Sequence, residues 1–127
     1  NTTSPTATMG NSSSSSTPAA SSAATTFIDS KVAAHQVVVF SKTYCGYCAR
    51  TKSLFSGLEQ AKDVHVIELD RRSDGDDIQN ALVTKTGQRT VPNVFVNKQH
   101  VGGNDDVHNA YRNGALLKML SEWSQQP

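Results

Sequence analysis

"QVVVFSKTYCGYC", residues Gln36 to Cys48, joins a β-branched run to the only two cysteines in the chain. The run from Gln36 to Ser41 shows no polar alternation, so it reads as a strand covered on both faces. A helix follows: "CARTKSLFSGLEQA", Cys48 to Ala61, sets Leu54, Phe55 and Leu58 at helical spacing. The cysteines therefore lie where a buried strand hands over to a helix. Such a pair can be a structural staple, half of a metal site, or a reactive dithiol.

A bridge spanning four residues restricts almost no chain, so as a staple it contributes little. Closed zinc needs four ligands, and His35, His65, His100 and His108 are scattered over different elements without finger spacing. The reactive reading has a physical cause. A helix N-terminus collects unpaired backbone N–H groups, and its dipole favours an anion there. A thiolate at Cys45 is such an anion, and Lys42 brings a positive charge close in sequence. Cys48, nearly one turn further on, is within disulfide reach but more buried and harder to ionise. Thiol–disulfide exchange needs this inequality: Cys45 attacks and Cys48 resolves. A C-x-x-C between a buried strand and a helix, in a β-α-β context, points to redox work.

The remaining sequence supplies that context. "VHVIELD", Val64 to Asp70, alternates like a strand with Val64, Val66 and Glu68 on one face. "SDGDDIQNALVTKTG" opens with acidic residues, repeats Ile78, Ala81, Leu82 and Lys85 helically, and stops at Gly87. "VPNVFVNKQHVGG" reads as a hairpin turning at Asn97-Lys98. "NDDVHNAYRNGALLKMLSEW" gives one or two helices, with Asn104 as cap and Gly114 as break. With a helix over Phe27 to Ala34 in front, the order is αβαβαββα. The fold class is α/β, a mixed four-stranded sheet with helices on both faces.

The first 26 residues are nearly all Ser, Thr, Ala, Asn and Pro, and no charge precedes Asp29. Too little apolar surface is available there to offset the entropy of ordering, so 1–26 is expected to be a disordered tail before a domain over 27–127. The chain starts with Asn, which fits a trimmed form, and its sequon-like Asn1 and Asn11 segments are expected to be chance. The 12 basic and 11 acidic residues leave a net charge of +1 and are intermixed, so no nucleic-acid surface is expected. No run of 18 apolar residues exists for a membrane span.

"KTYCGYC", "TVPNVF" and "GGNDD", in this order and spacing, resemble a dithiol glutaredoxin of the CGYC type over roughly Phe27 to Trp123. Thioredoxins share the fold but typically carry Trp before the first cysteine and Gly-Pro between the pair; here Tyr44 precedes Cys45, and Gly46-Tyr47 intervene. The resemblance implies a thioredoxin fold and glutathione-dependent reduction of disulfides, with glutathione as co-substrate. Glutathionylated or disulfide-bonded proteins are the implied partners, and the expected form is a monomer. A reactive cysteine pair suits a reducing, glutathione-rich space, the cytosol first, with an organelle or the secretory pathway as the alternative.

It also implies a glutathione site. Thr90, Val91 and Pro92 resemble the family's cis-proline turn, whose open backbone pairs with a bound peptide as an added strand does. Read without the family, Pro92 starting a strand is an equal alternative. Gly103, Asn104 and Asp105 resemble the segment that holds the γ-glutamyl end, with backbone N–H groups for its carboxylate and Asp105 facing its ammonium. Lys42 and Gln79 match the lysine and glutamine that meet the glycyl carboxylate, and Tyr47 lines the pocket. Read blind, Gln79 is an exposed helix residue. The histidines match no catalytic position, and Arg71 and Arg72 read as a solvated turn.

One departure opens a second reading. The usual dithiol site has Pro where this chain has Gly46, and glycine removes a rigid ring at the helix start. Some relatives with small residues there hold a [2Fe–2S] cluster bridging two protomers, ligated by the first cysteine of each and by two glutathione thiolates. In that alternative Cys45 is the cluster ligand and the protein is a cluster carrier or sensor.

Overall fold

In a computed structural model, which describes residues 22–123, the chain forms helices α1 (Ser22–Ala34), α2 (Gly46–Ser56), α3 (Gly75–Thr86), α4 (Asn104–Arg112) and α5 (Ala115–Ser121). The strands are β1 (Val37–Ser41), β2 (Val64–Glu68), β3 (Asn93–Val96) and β4 (Gln99–Gly102), in sheet order β2-β1-β3-β4. β1 pairs with β2 in parallel and with β3 antiparallel, and β3 pairs antiparallel with β4. The mixed four-stranded sheet expected from the sequence is present.

Every residue of β1 is buried because the strand is central and covered twice. Its side chains alternate between two cores. Val38 and Phe40 pack with Ile28 and Val32 of α1 and with Ile78 and Leu82 of α3. Val37 and Val39 face the other way, onto Phe55 of α2, Val107 of α4 and Leu116 and Leu120 of α5. On β2, Val66 joins the second core, while Val64 is exposed and Glu68 takes an ion pair with Lys52 of α2 at 2.8 Å.

Several boundaries differ from the sequence reading. α1 begins at Ser22, five residues earlier than the apolar pattern suggests, and Ala24 is buried at 4% exposure. Small residues that look like tail can line a helix face against a core. The expectations for 1–21, including both sequons, lie outside the described residues. α2 ends at Ser56 with Gly57 as its cap, so Leu58 reaches the core from beyond the helix. Asn104 is the first helical residue rather than the cap; the cap is Gly103. The closing segment is two helices, broken at Gly114 with φ +87°. Arg72 is not simply solvated: it pairs with Asp74 at 2.8 Å and lies 4.4 Å from the Phe27 ring centroid.

Gln36, 1% exposed, closes the sheet end opposite the cysteines. Its NH2 donates to the carbonyls of Gln60 (2.9 Å) and Leu120 (3.0 Å), and its Oε1 accepts from the N–H groups of Lys62 and Asp63. One buried amide thus satisfies four backbone groups, three in the α2–β2 connection and one in α5. Gln36→Leu should leave those groups unpaired and lower stability by roughly 3 kcal/mol in urea denaturation. A loss under about 0.5 kcal/mol would show that water replaces the amide.

Candidate active site

The end of β1 and the start of β3 are adjacent, because Phe40 pairs with Asn93. That register brings the residue pair before β3, Val91-Pro92, next to the loop that leaves β1 toward the cysteines. The Val91–Pro92 peptide bond is cis. The Cys45 thiol lies 3.8 Å from the Val91 carbonyl, as donor to it. Two of the sequence-predicted segments therefore meet at the sulfur.

Cys45 is the N-cap of α2, in extended backbone conformation. Its Sγ accepts the backbone N–H of Cys48 at 3.1 Å, so a sulfur takes the place of the oxygen that usually caps a helix. The two cysteines are unlinked; Cys45 is half-buried and Cys48 fully buried. Burial, then a hydrogen bond to the Cys45 sulfur, pushes the Cys48 thiol up to about 11 from 9.0, against opposing help from the Lys42 backbone and Ser41. Cys48 thus stays protonated at neutral pH.

The loop in front is held from the 3-10 turn Leu69–Arg71 that follows β2. Asp70 accepts the Thr43 N–H at 3.0 Å and the Thr43 hydroxyl with its other oxygen. Those two bonds hold the Asp70 carboxyl below the usual carboxylate range.

A groove of about 560 Å³ has Tyr47, Thr90, Val91, Pro92, Gly103, Asn104 and Asp105 among its lining residues. All seven were expected from the sequence to meet one ligand, and here they share one cavity. Cys45 stands beside it through Val91. Lys42 is half-buried, with its carbonyl taken by the Cys45 N–H at 3.1 Å, and is not among the lining residues. Gln79 lies apart: its NH2 donates to the Arg89 carbonyl at 2.7 Å, in a separate depression with Asp76 and Asn80.

Three organising residues were missed by sequence reasoning. Gln88 lines the groove and donates to the carbonyls of Thr90 and Pro92, 3.0 Å each, bracing both sides of the cis bond. Asp106 accepts the Gly103 N–H at 3.0 Å. A Cβ on Gly102, which has φ +125°, would lie 2.2 Å from Asp106 Oδ2, so the first glycine of the pair makes room for that carboxylate. Asp70 is the third. Gln88 and Asp70 left no periodic signal, because Gln88 acts on backbone carbonyls and Asp70 on the N–H and hydroxyl of one loop residue. The histidines are engaged elsewhere: His35 with Asp63 and stacked on His65, His100 with Asn93, His108 with the Asn104 carbonyl. Among the described residues no group of three or more His, Cys, Asp or Glu converges to hold a metal ion.

The glutaredoxin family model matches residues 37–101. Glutaredoxin-C8 of Oryza sativa subsp. japonica is 52% identical over 96 residues, 76% of this chain and 71% of that one. The chain belongs to the glutaredoxin family. Its fold is the thioredoxin-like fold of that family, and its activity is that of a glutathione-dependent thiol oxidoreductase. A crystallised buckwheat glutaredoxin–glutathione complex superposes with a TM-score of 0.74 at 50% identity, covering 79% of this chain and 89% of that one. A further rice relative, "Glutaredoxin-C4, chloroplastic", is 50% identical over 91 residues, 72% of this chain and 67% of its own. Among the described residues of this glutaredoxin, no helix is long and apolar enough to cross a membrane.

Proposed function

We propose that this glutaredoxin reduces protein–glutathione mixed disulfides and protein disulfides through Cys45 as nucleophile and Cys48 as resolving thiol. The observation that carries this reading is the cap: Cys45 Sγ receives a helix N–H at 3.1 Å beside a groove lined by Val91. In that groove the tripeptide pairs with the Val91 backbone, places its γ-glutamyl end at the N-terminus of α4, and stacks along Tyr47. Lys42 meets the glycyl carboxylate. Gln79 joins it only by exchanging the Arg89 carbonyl for the ligand.

The Cys45 thiolate attacks the glutathione sulfur of the mixed disulfide. The Cys45–glutathione bond forms, the bond to the protein sulfur breaks, and the protein leaves as a thiolate that takes up a proton. A second glutathione thiolate then attacks the adduct, releasing oxidised glutathione and the Cys45 thiolate. With a protein disulfide, Cys48 gives up its proton and attacks Cys45, expelling the second protein thiol; two glutathiones later reduce the bridge. Burial, the largest cause of the raised Cys48 pKa, persists through this step, while the contributions of the Cys45 sulfur end when it enters a disulfide. Such chemistry suits a reducing, glutathione-rich compartment, the cytosol first.

The cluster-bridging reading keeps one supporting observation: the position after Cys45 is glycine, and the space where its Cβ would stand holds no atom within 4 Å. With Cys48 buried and protonated, each chain would supply Cys45 alone, and two copies with two glutathiones would complete the set. Anaerobic reconstitution with iron, sulfide and glutathione should give a brown dimer if this holds; a colourless monomer removes it. For the main reading, Cys45→Ser should abolish turnover of a glutathione mixed disulfide. Cys48→Ser should retain that turnover and lose protein-disulfide reduction. An active Cys45→Ser variant would overturn the assignment.

A further inference from the structure

Cys48 resolves only by losing a proton, and burial makes that loss hard by pushing its thiol up. The proton needs an acceptor inside the fold. On the sheet face behind Cys48 stands a carboxylate that the steps above do not use. Glu68 ends β2, and Lys52 of α2 holds its Oε2 at 2.8 Å. The other oxygen, Oε1, is sealed from solvent and has no hydrogen-bond partner among the described residues. An ionised carboxylate oxygen can only accept, so one buried without a donor is costly, and a proton arriving there relieves the cost.

Two placements bring Glu68 to Cys48 independently. Lys52 lies four residues after Cys48, so both side chains share one face of α2, and that face meets Glu68. Ser41 is the register partner of Glu68 in the parallel β1–β2 pair, so their side chains leave the sheet on one side. It is the α2 side, because Val39 and Val66, two residues earlier on each strand, join the core that holds Phe55. Ser41 is fully buried, and its hydroxyl hydrogen-bonds with the Cys48 sulfur. Its bond to the Lys42 carbonyl is long, 3.4 Å, and easily given up. The titratable groups against the pair are Lys52 on Glu68 and Cys45 on Cys48. Given Cys48 as the resolving thiol of the reading above, we propose that Glu68 accepts its proton through the Ser41 hydroxyl. As Cys48 Sγ attacks Cys45, its proton passes to Ser41 Oγ, and the hydroxyl proton passes to Glu68 Oε1. The Cys45–Cys48 bond forms, the bond from Cys45 to the substrate sulfur breaks, and the electron pair leaves on that sulfur. Glu68, whose side chain is partly exposed, then passes the proton to water.

Dithiobis(nitrobenzoate) separates the two attacks on the reduced protein, because each releases one yellow thiolate. Cys45 gives the first burst and keeps a mixed disulfide; Cys48 attacks that adduct and gives the second. In the wild type the second burst should stay nearly level from about pH 7 to about pH 9, as proton transfer to an internal base requires. Glu68→Gln, equal in shape, should lower the ratio of second to first burst rates about tenfold or more. Its second burst should then climb about tenfold per pH unit with the thiolate fraction of Cys48. Glu68→Asp, which keeps a carboxylate, should restore the level profile, and Ser41→Ala should lower the ratio severalfold. A Glu68→Gln ratio within twofold of wild type overturns the proposal, and so does a wild-type second burst with the steep climb. An unchanged ratio for Ser41→Ala overturns the route through the hydroxyl. A wild type with a single burst, like Cys48→Ser, would instead overturn Cys48 as the resolving thiol, and this proposal with it.

Discussion

A backbone N–H of α2 points at the sulfur of Cys45 across 3.1 Å, and the rest of the site is arranged around that contact. It requires the helix to begin one residue after the nucleophile, at Gly46. It also requires the incoming strand to be rigid, which double coverage of β1 provides. The same helix turn that presents the Cys48 N–H buries the Cys48 side chain. One stretch of backbone therefore makes the two thiols unequal: one capped by amide hydrogen and half-open, the other sealed and protonated.

The groove is built from elements distant in sequence that the sheet brings together. The antiparallel pairing of β1 with β3 sets the cis-proline turn against the nucleophile loop, and the return through β4 delivers Gly103 and the start of α4 to its lining. Bonds from side chains to backbone then set the walls: Gln88 to the Thr90 and Pro92 carbonyls, Asp106 to the Gly103 N–H, Asp70 to Thr43. Thr51–Asn104 is the buried side-chain link between the two helices that flank the sulfur and the groove.

Most of this was legible where residues act through pattern. The β-branched run of β1, the Asn97-Lys98 hairpin turn with φ +50° and +69°, and Gly87 closing α3 at φ +80° all follow local rules. So did the meeting of "TVP" and "GGND" in one cavity, once the family resemblance was on hand. What escaped acts through tertiary context. Ser22 to Thr26 look like tail until Ala24 finds a core to cover it. Gln36 looks like the edge of a strand, yet it is a four-bond buried amide. Gln79 has the right type and helix, but its side chain is spent on Arg89. No periodicity records which backbone carbonyl a glutamine will find.

The inequality of the two sulfurs is the central claim, and alkylation reads it directly. The reduced protein is treated with iodoacetamide across pH and the labelled residue identified by mass spectrometry. At pH 7.5 Cys45 should be carboxamidomethylated and Cys48 untouched, with Cys48 labelling rising only at more alkaline pH, because burial, the largest cause of its raised pKa, persists after Cys45 is capped. Equal labelling of both residues at pH 7.5, or faster labelling of Cys48, would contradict the account.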